Sequence, residues 1–249
     1  MVNGLFTTGA GMMLTMRKQE ITSNNMANAQ TTGFKISRLA THATVESRRD
    51  VDDYMRQREE QRADEVSTDW QPGPMVSTGN PLDVALRGDG FLAIATPRGE
   101  RYLRSASMKL TAEGTLVDPT GSPLLDQNGN SIQVKGLHNS VTADGRVVSD
   151  GEEVGRLRIV DFPKPYQLRQ EGAGRYVPFA ASPTDPVPQP MEASMNTSVE
   201  QGFVEGPNVN VVAEMVRMIS QFRNYEADSK VMHAIDSTLD RAINQVGRV

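Results

Sequence analysis

The residue types able to make or break bonds are sparse and scattered along this chain. It contains no cysteine, which excludes disulfides and thiolate chemistry. His42, His138 and His233 stand about a hundred positions apart, a spacing that matches no metal-ligand pattern. Gly88-Asp89-Gly90-Phe91-Leu92-Ala93 fits the letters of the dinucleotide turn G-x-G-x-x-A. That mechanism needs a helix N-terminus directly after the turn. Here the run Phe91–Thr96 reads as a strand, so the turn is expected to close a hairpin. Asp126-Gln127-Asn128-Gly129-Asn130 resembles the opening of a calcium loop. Its glycine falls at the fourth position instead of the sixth, and Leu137 stands where a bidentate Glu is required. No G-x-S-x-G, paired-histidine zinc motif or P-loop is present. Glu214, Arg217, Arg223, Glu226 and Asp228 fall on one long helical stretch, where pairing between helices or subunits fits better than catalysis. The expectation is therefore no catalytic residue, no cofactor, no metal and no small-molecule substrate.

A different kind of polar cluster stands out in SNNMANAQTTGF, residues 23–34. Asn24, Asn25 and Asn28 sit near the end of a helical segment, although Asn amides compete for backbone hydrogen bonds. An amide both donates and accepts, so asparagines packed among helices can bridge backbones and fix register where leucine would allow slippage. Thr31, Thr32, Gly33 and Phe34 are expected to turn the chain away, with Gly33 supplying a positive φ.

The elements that would position these residues follow from periodicity. Residues 3–29 carry Leu5, Met12, Met13, Met16, Ile21, Met26 and Ala27 at spacings that make an imperfect apolar stripe. Gly9 and Gly11 weaken that helix by about 1 kcal/mol each relative to Ala. Residues 208–246 contain neither Gly nor Pro. Val212, Met215, Ile219, Phe222, Glu226, Ser229, Met232, Asp236, Leu239, Ile243 and Val246 recur there every three or four positions, and Val216, Tyr225 and Ile235 widen the stripe. Such a helix would run roughly 55–60 Å at 1.5 Å per residue. Between the helices, LDVAL, FLAIAT, RYLRSASMKL, TLVD, PLLD, SIQV and residues 141–162 read as short strands separated by Asn-Gly and Asp-Gly turns. Asn128-Gly129 is the sharpest of these, with a type I′ turn expected.

The fold expected is α+β, with long N- and C-terminal helices pairing as a coiled coil around a central antiparallel β-rich domain. Residues 1–33 with 207–249 would form the helical domain and 77–177 the β domain. Residues 34–76 and 178–206 would connect them, the latter through the proline-rich run 178–190. The charged stretch 46–65 reads as a solvated helix or linker.

Composition bounds the function. Hydrophobic residues make up 37% and aromatics 5% of the 249 positions, low for a compact enzyme of this length. The shortfall suggests a core completed by partners. A net charge of -5 gives no basic field for nucleic acid. The N-terminus lacks the basic and apolar regions of a secretory signal, and no stretch approaches the roughly 18–20 apolar residues of a membrane span. On those rules alone the chain would stay in the cytoplasm.

SNNMANAQTTGFK (23–35) and EMVRMISQFRNYEADSKVM (214–232) resemble the bacterial flagellar rod and hook family of axial proteins. The family's Ser-Asn-Asn-aliphatic-Ala-Asn helix end, followed by Thr-x-Gly-Phe-Lys, is matched position by position, with Met26 at the aliphatic site. Met218, Ile219, Arg223, Tyr225 and Glu226 match its C-terminal motif. Asn80-Pro81-Leu82-Asp83 and Arg87–Phe91 look like the opening of its β domain. Length and the ending ID-x-x-LDRAINQVGRV look most like a proximal-rod subunit, with distal-rod and hook-type subunits as alternatives. The charged stretch departs from both rod types.

The resemblance implies a non-enzymatic structural subunit of the basal-body rod. It would be exported through the flagellar type III apparatus without a cleaved signal and located in the periplasmic part of the flagellum. Its partners would be copies of itself and other rod proteins, with no membrane insertion, in a hollow torque-transmitting tube. The positions expected to carry subunit packing are Asn24, Asn25, Asn28, Gly33, Phe34, Met215, Ile219, Phe222, Arg223, Tyr225, Glu226, Met232 and Leu239. The alternative of another class is a soluble β-domain binding protein with helical oligomerisation arms.

Overall fold

The computed structural model describes residues 2–40, 65–136, 138–180, 182–194 and 196–246. The chain divides into two compact units, one of Met1–Ala29, Ile36–Trp70 and Val209–Val249, the other of Gln30–Lys35 and Gln71–Asn208. Most of the charged stretch 46–65, and His42, lie outside the described residues.

The first unit holds α1 (Val2–Ala27), α2 (Val211–Val246) and a two-stranded antiparallel ladder of Ser37–Ala40 with Glu65–Thr68. Asn210 caps α2: its Oδ1 accepts the Ala213 N–H at 3.1 Å, and its carbonyl accepts the Glu214 N–H at 3.0 Å. That satisfies donors which a helix start otherwise leaves orphaned. The two helices run side by side in opposite directions. A Cβ added at Gly9 would lie 3.9 Å from Met232 Cε, and one at Gly11 would lie 3.7 Å from Asp228 Oδ2. Near the other end of α1, Gln221 Nε2 donates to Thr22 Oγ1 at 3.1 Å. Both distances are ordinary van der Waals contact, so an alanine would fit at either position and the glycines of α1 only cost helix propensity.

The expected coiled coil is not what this unit contains. A coiled-coil seam would bury the apolar stripe of α2 as knobs in holes. Instead Val212, Met215, Val216, Ile219 and Phe222 are all exposed, at 70%, 47%, 62%, 56% and 52%. The positions turned towards α1 include Glu214, Gln221 and Asp228, met by glycine, threonine and asparagine. Half-buried apolar side chains, Met218, Tyr225 and Met232 among them, share that face of α2 with the polar groups, and the first turns of the stripe, Val212 to Phe222, face outward. The α+β class with one helix at each end and antiparallel sheets between them is what the chain adopts.

The second unit is built from antiparallel ladders. Its six-stranded sheet runs in the spatial order Leu168–Gly172, Arg175–Pro178, Gly99–Leu103, Phe91–Thr96, Ile159–Asp161, Met191–Glu192. A three-stranded sheet places Asp83–Arg87 between Ser198–Gln201 and Ser105–Ser107. Another joins Asn139–Val141, Arg146–Ser149 and Glu152–Arg156. Val84, Leu86, Leu92, Ile94, Leu116, Leu124 and Leu157 belong to the core between them, each no more than 2% exposed.

Two turns differ from expectation. Asp83–Arg87 and Phe91–Thr96 belong to different sheets, so Gly88-Asp89-Gly90 is a crossover and not a hairpin. At Asn128-Gly129 the described backbone gives positive φ to Gly129 alone, at 82°. The Gly129 N–H bonds to the Asp126 carbonyl at 3.0 Å and Asp126 N–H to Asn130 O at 2.8 Å, a longer loop with a glycine bulge. The two-residue turn with both central φ positive occurs at Asp150-Gly151, at 50° and 91°, where Ser149 pairs with Glu152.

Candidate functional site

The asparagines divide by burial. Asn25 is 1% exposed and meets the first strand of the ladder: its Nδ2 donates to the Ser37 carbonyl at 2.8 Å, and its Oδ1 accepts the Ser37 N–H at 3.0 Å. One amide thereby pairs with a residue's backbone as a neighbouring strand would. Nδ2 also lies 3.4 Å from Glu214 Oε2. Glu214, 2% exposed, is held in turn by Arg217 one turn along α2. Asn24 is exposed, and its carbonyl accepts both the Asn28 N–H at 3.1 Å and Asn28 Nδ2 at 2.9 Å. Asn24 and Asn28 thus finish the helix, while Asn25 ties α1 to the ladder and to the first turn of α2.

On α2, Met215, Ile219, Phe222, Arg223 and Glu226 are exposed, whereas Tyr225, Met232 and Leu239 are half-buried. On α1, Phe6, Met13 and Met16 are exposed as well. A shallow open groove in this unit is lined by Met16, Gln19, Ser23, Asn24 and Ala27 of α1 with Met218 of α2. Among the described residues the first unit fully buries one apolar side chain, Ile36; its other buried groups are Thr22, Asn25 and Glu214. A contiguous apolar stripe of this length is uncommon on the surface of a monomeric protein.

Gly33 and Phe34 belong to the β unit and are buried there. Gly33 has φ 68° and gives its N–H to the Glu205 carbonyl at 2.7 Å. Beside it lies a charge cluster that sequence reasoning missed. Lys35, 0% exposed, places its ammonium on the Glu205 carboxylate and donates to the Gln71 carbonyl at 2.8 Å. Glu205, 1% exposed, also accepts the Gly73 N–H at 2.9 Å and Arg104 Nε at 3.0 Å. The rest of the Arg104 guanidinium caps backbone carbonyls of the crossover: Gly88 at 2.8 Å, Leu86 at 3.3 Å, and Gly90. Burial pushes the Glu205 carboxyl up, but the Arg104 and Lys35 charges and the hydrogen bonds from Lys35 and Gly73 outweigh it. The group is held below the ordinary carboxylate range. Nothing local in the sequence pairs Lys35 with a glutamate 170 positions later. The hint in the sequence is that Lys35 closes the motif Thr-x-Gly-Phe-Lys.

This arrangement holds chain segments together and offers apolar helix faces to solvent. No group of three or more acidic, histidine or cysteine side chains among the described residues is placed to hold a metal, and no described helix is long and apolar enough to cross a membrane.

Residues 5–35 match the family described as flagella basal body rod protein. Residues 85–151 match the flagellar hook protein FlgE/F/G D1 domain, and 200–245 the C-terminal part of flagellar basal body rod FlgEFG proteins. The flagellar basal-body rod protein FlgF of Caulobacter vibrioides is 30% identical across 100% of both chains. FlgF of Escherichia coli is 31% identical over 97% of each, and FlgG of Bacillus subtilis is 27% identical over 98% of this chain and 99% of its own. The chain therefore belongs to the flagellar basal-body rod protein family, with full-length likeness to its F-type, proximal-rod members.

Proposed function

We propose that this chain is a structural subunit of the bacterial flagellar basal-body rod, working by packing and not by catalysis. It joins copies of itself and other rod proteins, is delivered through the flagellar type III export apparatus, and resides in the periplasmic part of the basal body. The observation that carries this reading is the outward stripe Val212, Met215, Val216, Ile219 and Phe222 in a unit that fully buries little apolar surface of its own. Each such side chain contributes about 1.5–3 kcal/mol when moved from water into a packed interface. A continuous stripe thus supplies a strong drive to associate with neighbouring subunits, and a rigid packed wall transmits torque. The residues of the stripe together with Arg223 and Glu226 are its contact positions.

The test is an Ile219→Asp, Phe222→Asp double variant expressed in cells lacking the native chain. It should keep the monomer's circular dichroism and lose swimming and rod completion, because a charge in a packed apolar interface is not compensated. Normal swimming with both aspartates in place would sink the proposal.

A further inference from the structure

Residues Thr31–Lys35 lie in the β unit as a short peptide lies in a receptor. Their contacts come from segments far away in the sequence. The Glu205 carbonyl takes the Gly33 N–H at 2.7 Å, and the Phe34 carbonyl accepts the Asn208 N–H at 3.4 Å. The Tyr176 hydroxyl donates to the Gly33 carbonyl at 2.7 Å, and Gln170 Nε2 donates to the Lys35 carbonyl. Gly174 backs directly on this segment: a Cβ there would sit 2.5 Å from the Thr32 oxygen, so only glycine leaves room. Phe34 is 4% exposed, and the Lys35 ammonium is buried at the end of the track on Glu205 and the Gln71 carbonyl.

We propose that the β unit contains a built-in peptide-binding site whose ligand is the chain's own Thr31-Thr32-Gly33-Phe34-Lys35 segment, and whose specificity-determining contact is Lys35 on Glu205. The charges set the order of events. Arg104 and Glu205 already form a neutral pair within the β framework, and Arg104 is further satisfied by the carbonyls of Leu86, Gly88 and Gly90. The receptor is therefore complete before Lys35 enters. Once docked, Lys35 makes two buried cations share one carboxylate. Removing Lys35 leaves a neutral pair, whereas neutralising Glu205 strands two buried cations against an amide. Losing one partner of a buried charge network costs far more than losing a group the network can do without.

The two substitutions must therefore behave asymmetrically, and a double-mutant cycle in the full-length chain reads this. Lys35→Met should speed exchange of the Gly33 and Asn208 amides about tenfold or more. Amides at Leu92 and Val147 should keep their protection, and the unfolding midpoint should barely move. Glu205→Gln should lower the midpoint and loosen the strands around Arg104. Adding Lys35→Met to Glu205→Gln should restore part of that loss, because one stranded cation is gone. Tyr176→Phe, which removes the hydroxyl and keeps the ring, should also speed Gly33 exchange and gives a readout that does not depend on the charged variants folding. Unchanged Gly33 exchange in both Lys35→Met and Tyr176→Phe would overturn the proposal. A double variant less stable than Glu205→Gln alone would overturn it too, since a space-filling role gives additive losses.

Discussion

Position 25 shows what an amide does that no apolar side chain can. Asn25 donates to and accepts from one backbone residue, Ser37, and touches Glu214 as well. Asn25→Ala leaves a buried N–H, a buried carbonyl and part of a carboxylate unpaired, and should destabilise the helical unit by about 2–4 kcal/mol. Asn24→Ala, at an exposed position whose backbone carbonyl does the work, should stay within about 0.5 kcal/mol. Urea denaturation of both variants checks the contrast, and equal losses would mean that the buried amide is not special. The sequence singled out the three asparagines through their poor fit to a helix interior. It did not reveal which one is buried, because that depends on Ser37 and Glu214, 12 and 189 positions away. Lys35, Glu205 and Arg104 were less legible still, since each reads locally as an ordinary surface charge.

At the scale of elements, both terminal helices and the run of short strands were legible from periodicity and turn residues. What periodicity could not supply was the direction of each face. The stripe of α2 was expected to pair with α1, yet its first turns, Val212 to Phe222, face outward, and the face towards α1 mixes Glu214, Gln221 and Asp228 with half-buried Met232. A stripe records that a face is apolar and says nothing of which chain covers it. Hairpin chemistry was likewise partly legible: Asp150-Gly151 takes the tight turn, while Asp126–Asn130 gains one residue and a bulge. The edge strand Leu168–Gly172 offers a pH test. Glu171 accepts from the Arg101 side chain and pairs with Arg98. Hydrogen bonding from Arg101, against a smaller opposing effect of burial, lowers its pKa from 4.5 to about 2. A carboxyl depressed on folding contributes stability that is fully present above its unfolded value and fades as pH falls through the folded one. The difference in melting temperature between the native chain and Glu171→Gln should be constant above about pH 5.5 and shrink steadily from pH 4.5 towards 2. A difference independent of pH over that window would remove the ion pair as its source.

At the scale of the molecule, the distribution of buried apolar groups explains the low hydrophobic content. The core cluster lies wholly in the β unit, while the helical unit fully buries Ile36 alone among its described apolar residues. One unit has an apolar core of its own, and the other buries little apolar surface among its described residues. A chain ending at residue 208 should therefore keep its β-sheet circular dichroism and a cooperative unfolding transition, and should fail to complete the rod. Loss of cooperative unfolding in that truncation would show that the β core depends on α2.

The sequence alone determined the α+β class, the terminal placement of the helices and the antiparallel strands, because these follow from spacing and turn chemistry close along the chain, and its motifs at both ends carried the resemblance to the family. Tertiary structure alone decided which faces meet, which asparagine is buried, and that Lys35 and Arg104 share Glu205. Those outcomes are contacts between distant segments, where burial gives an ordinary amide or charge a specific partner.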